Sequence, residues 1–398
     1  MNLVKNNIES LLVALVLCVN VFRFFMGVNE TTLSLYAIFV MCIIVLFVKY
    51  FSSVKYIVHR DGGISTCYIL MALILAYSFL SLAWIPSTHA IQTWAKFVVA
   101  LTIPALCVAL PEEKIKKIID IVILINVVYC LVILLQPGRA FNYMVSTGAN
   151  YLSVTLTIGL CLTVTLIKLV FSLNHESYIR SLFWLGLSAF FFVTLTGFTA
   201  RGVLIFPPTV AIVLSFFNDN RNRGKSVLIM FFLVLLGYIA FMYYLENGGE
   251  YSTNRFMRMF EETDEENRIP IWIKSLNNII DNNWFLFGGG IEAFKYNSTI
   301  HMYPHSIFIQ MLGEYGLWGL MTLLGILFLL IKRAVIFIRS SRDTTKNETF
   351  LCVLAGVLYY IFTFSKSFSM YDSCPMFVML VLCLSITCKR TSIKLSKI

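Results

Sequence analysis

Long apolar runs alternate with short polar breaks along most of this chain. A helix needs about 20 apolar residues to cross the hydrocarbon of a bilayer. Twelve runs approach that length: 8–27, 31–52, 64–85, 90–110, 115–136, 151–172, 181–200, 202–217, 226–246, 311–333, 349–366 and 373–388. The pattern predicts an all-α, polytopic integral membrane protein of about 12 transmembrane helices, with residues 1–398 as a single helical domain. One break differs from the others. Between helices nine and ten, residues 247–305 make one large polar loop, and nine of the chain's 21 acidic residues lie between Glu246 and Glu292. The first run has no small-x-small cleavage pattern and reads as a retained helix.

Finer patterns lie inside this frame. Run eight contains Pro207-Pro208. Proline lacks a backbone donor, so the pair is expected to kink or break that helix. Runs seven and eight then form a tight hairpin whose tip, residues 197–202, presents Arg201. In the large loop, Ile271, Trp272, Leu276 and Ile279 recur at helical spacing. They predict an amphipathic helix on the membrane surface, ended by Asn282 and Asn283. Gly288, Gly289 and Gly290 follow, where backbone can pass close to another segment or to a ligand. Pro304 then fixes the approach to a helix that begins near Ser306.

Composition agrees with a membrane protein. Hydrophobic residues make up 59% and charged residues 13%, against about 25% charged in a soluble domain. All ten cysteines lie in or beside apolar runs, which marks them as core residues and not as a disulfide or zinc framework. A net charge of +10 could suit nucleic acid, but its distribution argues against that partner. With the N-terminus in the cytoplasm, 21 of the 31 Lys and Arg fall on the cytoplasmic side, eight fall outside and two lie within runs. Five of the outer eight sit in the large loop, and long loops are exempt from the positive-inside rule. Both termini are therefore expected in the cytoplasm, with the large loop on the outer face.

Several residues could carry chemistry there. Arg201 reads either as a snorkelling interfacial arginine or as an anion clamp, since guanidinium offers a planar fork of donors suited to diphosphate. His305 reads either as a structural neighbour of the helix start or as a general base, because imidazole titrates near neutral pH. His301, four residues earlier, could pair with it on zinc, but no nearby Cys, Asp or Glu completes a ligand set. The acidic run Glu261 to Glu266 reads as a solvated face and lacks the alternating Asp spacing of a calcium loop. Arg23, Lys96, Asp120 and Glu314 are ionisable residues in or near apolar runs, where such residues mark function by default. All but Lys96 lie near run ends, which weakens that default, and Lys96 receives no role.

Three segments together resemble the O-antigen ligase and O-antigen polymerase family of bacterial envelope glycosyltransferases. The first is Thr199-Ala200-Arg201-Gly202 at the hairpin tip. The second is Arg268, then a Trp-containing helix and residues 285–294 with their three glycines. The third is His305-Ser306, nine residues, then Gly316-Leu317-Trp318-Gly319. Residues 190–335 carry the likeness, and many members have Asn where Ser306 stands. The resemblance implies about twelve helices in the bacterial inner membrane, with the large loop in the periplasm over a membrane cavity. It implies metal-independent glycosyl transfer from an undecaprenyl-diphosphate-linked oligosaccharide, with no cofactor. Arg201 and Arg268 would then bind the diphosphate and His305 would deprotonate the acceptor hydroxyl. His301, Ser306, Gly316 and Gly319 would support them.

The acceptor stays open between two reactions. A polymerase joins the glycan to another lipid-linked repeat unit; a ligase moves it to the lipid A-core. The modest loop lacks an extra basic cluster for a phosphorylated core, which favours polymerase. A chain-length regulator stands as a further partner that the sequence leaves open. A lipid-linked glycan flippase is the reading from another class. It would show paired repeats and mid-membrane charges in matching halves, and the chain shows neither pattern.

Overall fold

The computed structural model describes residues 7–26, 31–85, 88–135, 151–174, 178–196, 201–215, 268–296, 303–340 and 344–395, with six positions between 224 and 242. Its elements are helical: α1 (Ile8–Leu17), α2 (Val19–Met26), α3 (Thr31–Arg60), α4 (Gly62–Ser81), α5 (Thr88–Cys107), α6 (Glu112–Leu135) and α7 (Tyr151–Asn174). There follow α8 (Tyr178–Thr196), α9 (Arg201–Ser215), α10 (Arg268–Asp281), α11 (Ala293–Tyr296), α12 (Ile307–Ser340), α13 (Thr344–Lys366), a 3-10 turn (Met370–Asp372) and α14 (Cys374–Leu395). Among the described residues, eight helices are long and apolar enough to cross a membrane, and Ile8–Leu17, Gly202–Ser215 and Cys374–Cys388 are shorter apolar helices. The chain is a multi-pass, all-helical membrane protein. Most of the ninth expected run, 226–246, and residues 247–267 of the loop lie outside the described residues.

Some boundaries differ from the pattern. The first run divides at Cys18, whose backbone leaves helical geometry between α1 and α2. The second continues to Arg60 and ends in His59 and Arg60, a favourable charge for a helix C-terminus. Asp61 then starts α4, its Oδ1 accepting from the N–H groups of Gly63 and Ile64 at 3.0 Å each. The eighth run does not break at proline: α9 runs through Pro207 and Pro208. The carbonyls that lose their N–H donors are those of Val203 and Leu204, and the Thr209 hydroxyl donates to the next one, that of Ile205, at 2.8 Å.

The chain divides into two compact units. The first comprises residues 1–42, 112–262 and 341–359. Helix α7 lies at its centre, with 94% of its membrane window buried, and α2, α6, α8 and α9 pack around it. Three ion pairs join its helices: Glu9–Lys114 at 2.7 Å, Asp120–Lys168 at 2.8 Å and Glu348–Arg180 at 2.8 Å. Lys168 also lies over the Trp184 ring, 4.6 Å from its centroid. Asp120 is thus a partner in a structural pair.

The second unit comprises residues 43–111, 263–340 and 360–398. Here α14 packs on α5, and α12 packs on α4 and α14. Arg333 of α12 donates to the Asp61 carboxylate that caps α4. Lys96 lies on an exposed face of α5. The loop elements α10 and α11 both pack on α12.

Candidate active site

The amphipathic loop helix forms where its spacing predicts, as α10 over Arg268–Asp281. Asn283 ends it in the left-handed region, at φ 58°. Ser275, Asn278 and Ile279 are buried, whereas Ile269, Ile273, Leu276 and Ile280 are exposed. The helix thus turns a mixed face inward, and its buried polar groups make local bonds. Asn282 donates to the Asn278 side chain at 3.0 Å, and the Ser275 hydroxyl bonds the Ile271 carbonyl at 2.7 Å.

The glycine triplet that follows meets a protein segment. Helix α12 is kinked at Gly316, whose φ of 66° and ψ of −166° leave the helix. At a regular turn the Leu317 N–H would bond the Gly313 carbonyl. Instead it donates to the Phe285 carbonyl at 2.8 Å, and the Gly289 N–H takes the Gly313 carbonyl at 2.8 Å. The Gly290 N–H bonds the Glu314 carbonyl at 2.9 Å. A short extended pairing thus replaces part of the helix ladder, and it pairs the Leu317 N–H and the carbonyls of Gly313 and Glu314. A Cβ on Gly288 would collide with the Glu314 carbonyl, and one on Gly316 with the Leu286 carbonyl. Gly319, by contrast, sits against Tyr315 and the Met311 carbonyl on the same helix. The loop is also held by α4 and its following turn: Tyr77 donates to the Phe287 carbonyl, Trp84 Nε1 to the Gly289 carbonyl at 3.2 Å, and Ser81 Oγ accepts from the Ile291 N–H at 3.0 Å.

His305 stands immediately before α12. Its φ is 55°, a left-handed conformation that histidine adopts more readily than most residues but still rarely. Ser306 is buried, and its carbonyl accepts from the Gln310 N–H at 2.9 Å to start the helix. The His305 ring lies against Tyr303, with centroids 4.2 Å apart. Its Nδ1 is buried with no hydrogen-bond partner among the described residues. Burial, then the charge of Arg268, push His305 down to about 4. Burial and the nearby Asp372 carboxylate push Tyr303 up, against the opposing charge of Arg268. The charge of Arg268 therefore acts on both Tyr303 and His305, and that of Asp372 acts on Tyr303.

Of the sequence candidates, Arg268 and His305 lie in the same unit, and the charge of Arg268 acts on the imidazole. Arg201 opens α9 in the first unit, with its side chain outside the described parts, and His301 lies outside the described residues. Tyr303 and Asp372 were not candidates. Tyr303 had a weak signal two residues before His305. Asp372, 67 residues after it in sequence, had none.

A second polar cluster lies on the same loop. Lys295 Nζ donates to His89 Nε2 at 3.0 Å, which leaves the proton on Nδ1, 3.2 Å from Glu292 Oε2. Among the described residues, no group of three or more His, Cys, Asp or Glu is gathered to hold a metal ion.

Residues 185–324, from α8 into α12, match the family model described as O-antigen ligase. That stretch is similar to the O-antigen ligase family. No curated protein matched it. The matched O-antigen ligase region contains Arg201, Arg268, His305, Gly316 and Gly319, and it supports assignment to the O-antigen ligase/polymerase family. That family implies a glycosyl-transferring enzyme acting on lipid-linked polysaccharide.

Proposed function

We propose that this protein is an O-antigen polymerase of the bacterial inner membrane. It transfers an undecaprenyl-diphosphate-linked glycan to another lipid-linked repeat unit at the periplasmic face, without a metal. The observation that carries this reading is the half-buried His305 beside Arg268. A diphosphate leaving group needs positive charge more than it needs a proton donor, and arginine supplies charge together with a matching fork of donors. Arg268 holds the diphosphate, a role for which Arg201 is the other candidate.

In the reaction, the acceptor oxygen forms a bond to the anomeric carbon. The bond from that carbon to the diphosphate oxygen breaks, and its electron pair leaves with the lipid diphosphate. His305 takes the hydroxyl proton. Its buried nitrogen is Nδ1, so Nε2 acts as the base. With a value near 4, the ring is already neutral at neutral pH. It is a weak base until the donor arrives. Burial, the larger cause, remains, while the diphosphate offsets the Arg268 charge that adds to it, and basicity rises by that smaller part.

The repeat-unit acceptor is preferred because the loop is acidic between Glu246 and Glu292 and has no basic cluster for a phosphorylated core. The test is the lipopolysaccharide made by cells that carry only His305→Ala at normal membrane level. Core bearing one repeat unit is expected. Bare core with long lipid-linked chains would identify the acceptor as lipid A-core. Wild-type polysaccharide would overturn the general-base role itself.

A further inference from the structure

Glycosyl transfer as set out above leaves one buried carboxyl without a role. Glu314, two turns into α12, is 1% exposed. Gln310 Nε2 donates to its Oε1 at 3.2 Å, and the Tyr371 hydroxyl donates to its Oε2. Tyr371 has one proton, and Glu314 takes it. The Tyr315 hydroxyl, 3.1 Å away, must therefore donate to Tyr371, as the Glu292 N–H does at 3.4 Å. The bonds run in one direction and end on the carboxyl.

Gln310 closes the other side. Its Oε1 accepts from the Met370 N–H at 2.8 Å, and its Nε2 also donates to Ser369 Oγ at 3.1 Å. The 3-10 turn Met370–Asp372 is thereby fastened to the first two turns of α12. That turn carries Asp372, which acts on Tyr303, whose ring lies against His305. The Glu314 main chain also holds the glycine triplet through Gly290.

We infer that Glu314, acting through Tyr371 and Gln310, is a positioning residue for glycosyl transfer: it locks the Asp372 turn against the helix start that carries His305. This inference rests on His305 as the base. Its direction-specific bonding sets it apart from a carboxyl that merely fills space. Both oxygens of Glu314 accept. A glutamine there has the same shape but must turn its NH2 toward Gln310 Nε2 or toward the Tyr371 proton.

The experiment uses the purified full-length protein and an undecaprenyl-diphosphate-linked repeat unit, with Glu314→Gln and Tyr371→Phe made separately. Each variant is expected to lower kcat by about 10- to 100-fold, the scale of a small misplacement of reacting groups. Donor KM is expected to stay within about two-fold. Combined with His305→Ala, neither variant should lower the residual rate further, because both act through that imidazole. An unchanged kcat would overturn the inference. So would a loss of the same factor in the His305→Ala background, or a loss fully explained by lower Tm and lower amount of folded protein. Should Glu314→Gln fail to accumulate, Tyr371→Phe decides on the same readouts. A fully active His305→Ala protein would overturn the base role beneath the inference, whatever the other variants do.

Discussion

Helices α7 and α12 are both apolar spans, yet their backbones are used in opposite ways. In α7 the side-chain hydroxyls fold back onto their own helix: Thr163 bonds the Gly159 carbonyl at 2.7 Å, Thr165 the Leu162 carbonyl at 3.1 Å and Ser172 the Leu169 carbonyl at 2.8 Å. Its ladder is closed, and it is surrounded by other helices. In α12 the ladder opens at Gly316, and a loop segment takes up the released groups. Within the second unit, the catalytic candidates gather at the end of α12 that leads into this opening. A closed helix builds scaffold; an opened one gives a loop a fixed seat, and a site can be held to that seat.

The contrast is broken most directly at Arg268. Arg268→Ala should lower kcat/KM by about 10²- to 10³-fold, the scale of removing one preorganised charge-stabilising donor. It should also shift the pH profile. Arg268 holds His305 down, so its removal must move the acid limb of kcat/KM upward. An unmoved limb in the residual activity would separate the two residues.

Gly288→Ala comes next. Its Cβ would meet the Glu314 carbonyl, and Gly288 sits at φ 74°. A cost of about 1–3 kcal/mol is expected, with kcat reduced along with Tm. Gly159→Ala in α7 supplies the counterpart. There the Cβ meets side chains, of Tyr359 and Val203, so stability should fall while kcat per folded molecule stays unchanged. A fall in kcat for Gly159→Ala would erase the distinction between scaffold and seat.

A smaller effect sharpens it in the wild-type protein. kcat/KM reports the free enzyme, so its acid limb should lie near the value of about 4 to which burial and Arg268 push His305. kcat reports the donor complex, in which Arg268 is neutralised, and its limb should lie higher. Coincident limbs would argue against donor-raised basicity. The smallest effect belongs to the first unit. Asp120 is 49% exposed, so solvent screens its pair with Lys168, and Asp120→Asn should cost less than about 1 kcal/mol and leave kcat unchanged.

The sequence by itself determined the membrane character, the approximate course of most helices, the loop helix over 268–281 and the importance of the glycine triplet. These follow from local rules: hydrocarbon thickness sets run length, helical period sets the α10 pattern, and glycine marks close approach. It also singled out Arg268 and His305, through a spaced motif. It left open whether Pro207 and Pro208 kink or break their helix, and α9 continues through both. It gave no sign that Ser275 and Asn278 of α10 become buried, because helical period marks the apolar residues alone. Only the tertiary structure decided that the glycine triplet seats on the kink of α12, that Asp372 acts on Tyr303, and that Glu314 ends a directed chain of hydrogen bonds. Those relations join residues 24 to 79 positions apart, and no local period encodes them. They arise because a backbone opened inside a membrane protein must find its missing partners elsewhere in the fold.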